Sequence, residues 1–134
     1  MSPLWSPLIV AAMAVSCIAL AACGDNVVTN PADIIFPDTN VSFRAHVLPF
    51  IALSCGVGGC HADINPAAGI RLTSYSTLMF DRGNLIVPGK PDESLVIQVL
   101  NGTFSHPWGL LQERVSANHR SGMTQWVREG ALNN

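Results

Sequence analysis

Apolar and polar positions divide the chain into stretches of different character. Leu8 to Ala22 is an almost unbroken apolar run, short for a membrane span and of the length of a signal-peptide core. Gly24 to about Asn40 is rich in Asn, Asp, Thr and Pro and reads as a flexible tether. Helical spacing begins after it: Phe43, Val47, Phe50 and Ile51 form an apolar stripe that Leu48 widens. Pro49 interrupts an ideal helix there, so a short helix bending into the next loop is expected. Asp63 to Gly69 reads as loop.

The second half repeats this alternation of short helices and turns. Ser74 or Thr73 can cap a helix carrying Tyr75, Leu78, Met79 and Phe80. Asp81-Arg82-Gly83-Asn84 is a turn, and Leu85-Ile86-Val87 is a short extended piece stopped by Pro88-Gly89. Pro91-Asp92-Glu93-Ser94 opens a helix presenting Leu95, Val96, Val99 and Leu100, with proline and acids in its first turn. A last helix from about Ser116 to Glu129 carries Met123, Trp126 and Val127 on its apolar face, and Gly130 stops it. Helices dominate, strands are short at best, and the fold class is all-α.

The apolar run ends in Leu20-Ala21-Ala22-Cys23, which resembles the lipobox of bacterial lipoproteins. The usual Lys or Arg before the apolar core is missing. The resemblance implies a lipoprotein signal peptide over 1–22, lipidation at Cys23, a tether over 23–40 and one domain over 41–134. Its location would be the bacterial cell envelope, lipid-anchored on the periplasmic side or at the outer membrane. A plain signal peptide or an uncleaved anchor is the alternative. The mean hydropathy of +0.33 is inflated by this leader. The formal net charge is −2 and no basic stretch exists, so nucleic-acid binding is not expected.

Cys17 lies inside the leader, and Cys23 is the lipidation candidate. Cys55 and Cys60 remain, an exported pair expected to be oxidised or capped. They sit in Cys55-Gly56-Val57-Gly58-Gly59-Cys60-His61. Two thiols can add to the two vinyl groups of a haem, and the adjacent imidazole can bind its iron. The sequence thus reads as a c-type haem site with four residues between the cysteines instead of two. Gly56, Gly58 and Gly59 let the longer loop bulge. A Cys55–Cys60 disulfide is the rival, though it makes no demand for His61. Zinc would need further ligands, and no second cysteine pair exists. No nucleophile elbow, phosphate-binding glycine loop or close carboxylate pair marks an enzyme.

Several pieces resemble the planctomycete-type cytochrome c family and related monohaem lipoproteins. They are Phe43 to Pro49, the Cys-His site, Gly69-Ile70-Arg71-Leu72-Thr73-Ser74-Tyr75, Ile86-Val87-Pro88-Gly89-Lys90-Pro91-Asp92-Glu93-Ser94-Leu95, and Trp126-Val127-Arg128-Glu129-Gly130-Ala131. The resemblance spans roughly residues 42 to 131. It implies a small helical cytochrome c-like domain wrapped around one covalent haem c, with His61 as proximal iron ligand. Such domains usually carry a Met-Pro about twenty residues before the closing tryptophan, and that methionine binds iron. Here the pair is His106-Pro107. The implied distal ligand is therefore His106, with Met123 as the alternative. A second histidine should lower the haem potential relative to methionine.

Other candidates receive structural roles. Met79 and Met123 are expected in the core, as are Tyr75, Trp108 and Trp126. His119 is expected at the surface, and His46 outward or near the haem edge. Arg71, Lys90 and Arg114 are the cations available for haem propionates. The expected function is a membrane-anchored electron carrier serving redox partner proteins. The alternatives are a disulfide-stapled lipoprotein without enzymatic activity, or a haem enzyme or sensor with an open axial site.

Overall fold

The computed structural model describes residues 27–106 and 114–134. The leader, Cys17, Cys23 and Trp108 lie outside the described residues. Among those described there are four α-helices and no strand. They are α1 (Leu48–Ser54), α2 (Tyr75–Phe80), α3 (Leu95–Leu100) and α4 (Ala117–Arg128). None is long and apolar enough to cross a membrane.

A π-helical turn, Phe43–Val47, runs directly into α1. It answers the problem posed by Pro49, which has no N–H to donate and crowds the preceding turn. In the π turn the N–H of Val47 reaches back to the Ser42 carbonyl and that of Leu48 to Phe43, so the backbone widens just ahead of the proline. The helix start is satisfied from afar. The N–H of Phe43 donates to Asn134 Oδ1 at 2.8 Å and that of Arg44 to the Asn134 carbonyl at 3.0 Å. Phe43, Val47, Phe50 and Ile51 are buried as the stripe predicts, and Leu48 packs at the margin.

Ser74 caps α2 by accepting the N–H of Thr77, whose hydroxyl accepts the N–H of Ser74 in return. Leu78 is buried, but Phe80 is 76% exposed, because residues two positions apart on a helix do not share a face. The proline–glycine segment before α3 is a clasp built around Ser94. The buried Ser94 hydroxyl accepts the N–H of Val87 at 2.9 Å and donates to the Lys90 carbonyl at 2.9 Å. Gly89 takes φ +77° and donates its N–H to the Val127 carbonyl of α4. Within α3 the buried face is Val96, Ile97 and Leu100, whereas Leu95 and Val99 are only partly covered. Ser94 breaks the helix from the preceding turn Pro91–Glu93, which rotates the face from the expected one.

Helix α4 matches expectation closely. Ser116 caps it, Met123, Trp126 and Val127 are fully buried, and Gly130 ends it at φ +98°. The Trp126 indole N–H donates to the Leu132 carbonyl at 3.0 Å, and the Tyr75 hydroxyl to the Ala131 carbonyl at 2.9 Å. Phe43 lies between these two rings, 5.2 Å from Tyr75 and 5.8 Å from Trp126.

Two expectations fail here. The segment 23–40, read as a tether, is packed against the body in its second half. Ile34 and Phe36 are core residues, 5% and 2% exposed. Asn118 holds Phe36 from both sides: the Phe36 N–H donates to Asn118 Oδ1, and the Asn118 amide donates to the Phe36 carbonyl. Gly122 leaves the space for the Phe36 ring, since a Cβ there would overlap its first carbons. His119, expected at the surface, is 2% exposed. Its Nδ1 accepts the N–H of Ser116 at 3.1 Å, which leaves the proton on Nε2 to be donated to the Ile34 carbonyl at 3.0 Å. The ring also packs against Phe36 and Phe50. Burial of this histidine is tolerated because both nitrogens are satisfied.

Candidate functional site

Helix α1 delivers the cysteine loop. The N–H groups of Cys55 and Gly56 both fold back onto the Ile51 carbonyl, at 2.8 and 2.7 Å. Gly56 then passes so close to the Leu72 carbonyl that a Cβ would lie 2.5 Å from it. Gly59 takes φ +80°. The His61 N–H returns to the Cys55 carbonyl at 3.0 Å, so the widened loop closes on itself.

Cys55 is buried and Cys60 half-buried, and both are free thiols. Burial, and then the neighbouring Cys60, push the Cys55 thiol up to about 12, with Arg114 opposing. His61 is held on both sides. Its Nδ1 donates to the Ile70 carbonyl at 2.9 Å, and its own carbonyl accepts the N–H of Leu72 at 2.9 Å. A carbonyl can only accept, so the ring proton is on Nδ1 and the lone pair of Nε2 is free for a metal.

His106 comes from 45 residues further along the chain, yet its ring centroid lies 6.1 Å from that of His61, with the planes at 55°. At this separation the two imidazoles would be able to hold one metal ion between them. The His106 Nδ1 atom is buried and lacks a hydrogen-bond partner among the described residues. Burial first, and then the His61 ring, hold the His106 pKa below its ordinary value, a shift toward the neutral imidazole that can act as a ligand. Two free thiols, an imidazole with Nε2 available and a second, orphaned imidazole fit a covalently held haem.

The alternative ligand Met123 is fully buried in the core cluster, where it packs with the apolar residues around it. His119 is spent on Ser116 and Ile34. His46 is half-buried, its Nδ1 accepting the Ser42 N–H and its ring 5.9 Å from Phe36. Arg71 is paired with Asp81 and Lys90 with Glu93. Arg114 is exposed beside a cavity of about 730 Å³ that Leu53, Val115 and His119 also line. That cavity does not touch Cys60, His61 or His106. The Ile70 carbonyl was missed from sequence, because a backbone acceptor leaves no mark in residue types. The buried alternation of Ile34 and Phe36 around the exposed Ile35 was a visible signal that the polar surroundings outweighed.

No curated protein and no solved structure matches the chain. Residues 58–103 match the family model described as Planctomycete cytochrome C. The matched segment includes Cys60, His61 and the Ser94 clasp, and it leaves Cys55, His106 and Trp126 outside. Over residues 58–103, about a third of its length, the chain is therefore similar to the planctomycete cytochrome c family.

Proposed function

We propose that this protein is a membrane-anchored monohaem c-type cytochrome that carries electrons at the bacterial cell envelope. Cys55 and Cys60 would form the two thioethers, and His61 and His106 would hold the iron. When bound, haem supplies a one-electron ferric–ferrous couple. The chain's part is to hold two imidazoles close together and to bury Cys55. The observation that carries the reading is the 6.1 Å approach of His61 and His106, with His61 Nδ1 already committed to Ile70. Lipidation at Cys23 rests on the sequence alone, as do redox proteins as partners.

Intact mass and a reduced absorption spectrum of protein made in a host competent for cytochrome c maturation test the reading together. One added haem mass that survives acid acetone is expected. Loss of two hydrogens with no haem would replace it with a disulfide-stapled module. His106→Met should raise the midpoint potential, because thioether ligation favours ferrous iron relative to a second imidazole. An unchanged spectrum and potential would remove His106 from the ligand set. Tight carbon monoxide binding to the unmodified reduced protein would do the same, and would favour a sensor or haem enzyme with an open axial site.

A further inference from the structure

Between His61 and α2 the segment 70–73 is tied at several points. The Ile70 carbonyl accepts His61 Nδ1, the Leu72 N–H donates to the His61 carbonyl, and the Thr73 hydroxyl donates to Asp63 Oδ1 at 2.7 Å. Gly56 closes against the Leu72 carbonyl from the other side. Arg71 lies in the middle of this run. Its guanidinium grips Asp81 at the end of α2 with two bonds, Nε to Oδ2 and NH2 to Oδ1, each 2.8 Å. A two-pronged bond fixes direction as well as distance. The peptide unit joining Ile70 to Arg71 is thus held from both flanks, and this is the unit whose carbonyl faces the His61 ring nitrogen.

We infer that the Arg71–Asp81 fork is a positioning clamp for the proximal imidazole: by fixing the Ile70 carbonyl it keeps the His61 Nδ1–H bond short and so makes the ring a stronger electron donor through Nε2. The effect on iron rests on the haem reading proposed above, whereas the effect on the His61 ring does not. A hydrogen bond from Nδ1–H raises the basicity of a metal-binding imidazole and, in a haem site, stabilises ferric iron. Loosening the clamp should therefore raise the potential.

Charge and geometry are separated by choosing two variants. Arg71→Lys keeps the charge and loses the fork, and Asp81→Asn loses the charge and one of the fork's two acceptors. A positioning clamp predicts that both raise the midpoint potential of the holoprotein. A purely through-space charge effect predicts a shift for Asp81→Asn alone, and that outcome overturns the clamp. A second readout needs no haem. Nitrogen NMR of the full chain without haem should show His61 largely as the Nδ1–H tautomer, with that population falling in both variants. If the chain takes up no covalent haem, the tautomer measurement still decides the clamp; unchanged His61 signals in both variants would overturn it.

Discussion

The carbonyl of Cys55 accepts the backbone N–H of His61 at 3.0 Å, so the two ends of the cysteine loop meet although four residues separate the cysteines. The extra residues are absorbed by a glycine-rich bulge, with Gly59 at positive φ. The backbone of the histidine is thus tied to that of the first cysteine across the loop, and several consequences of the surrounding packing can be measured.

Cys55 and Cys60 should differ sharply in reactivity. With its pKa pushed up to about 12, Cys55 is in the inert thiol form at neutral pH. Iodoacetamide added to the folded, haem-free protein at pH 7.5 should label Cys60 first and reach Cys55 only on unfolding. Mass spectrometry of the two peptides checks this, and equal labelling would contradict the burial of Cys55.

Gly122→Ala should loosen the attachment of the Ile34–Phe36 segment. The added methyl overlaps the Phe36 ring, and overpacking of this kind costs about 1–3 kcal/mol. Thermal denaturation should show the loss. Faster hydrogen exchange at the Phe36 N–H should accompany it, since that bond to Asn118 depends on the same seat.

Ser94→Ala should destabilise by a similar amount. It leaves the part-buried N–H of Val87 without its partner and the Lys90 carbonyl with the Glu93 N–H alone, a loss of about 1–3 kcal/mol. Urea unfolding measures it. Glu93→Ala is the control, because its pair with Lys90 is 60% exposed on both sides and its removal should change stability by less than about 0.5 kcal/mol.

Acid should weaken the junction between the entry segment and α4 through Glu129. The Gln125 side chain, and then the Val41 and Asn40 N–H groups, hold the Glu129 carboxyl below its ordinary value of 4.5. A depressed carboxyl contributes stability that is present above its unfolded value and is lost as pH falls through the lower folded one. Stability should thus decline below about pH 4.5, with a shallower slope in Glu129→Gln. Melting temperatures of both proteins between pH 3 and 7 provide the test, and identical slopes would assign the acid sensitivity elsewhere.

Much of the helical framework could be read along the chain because its causes are local. Ser74 and Ser116 cap where small hydroxyl residues precede apolar runs, and Gly130 stops α4 where a left-handed residue is needed. Cys60 and His61 are adjacent in sequence, so their association required no fold. The buried face of α3 was misjudged because Ser94 was taken to continue the helix, whereas its hydroxyl turns back to Val87 and Lys90. His119 was misjudged because a histidine on a polar-looking turn carries no sign of a carbonyl waiting 85 residues away.

Sequence alone determined the pairing of two cysteines with a histidine, the helical class and the resemblance to planctomycete cytochromes, since each depends on residue type and spacing within a few turns. The tertiary structure decided what stands opposite that histidine. It brought His106 to within 6.1 Å of His61, set the His61 ring proton through the Ile70 carbonyl, and drew Ile34 and Phe36 into the core. The physical reason is the same in each case. These relations join backbone acceptors and rings far apart along the chain, and only the packed core fixes their distances.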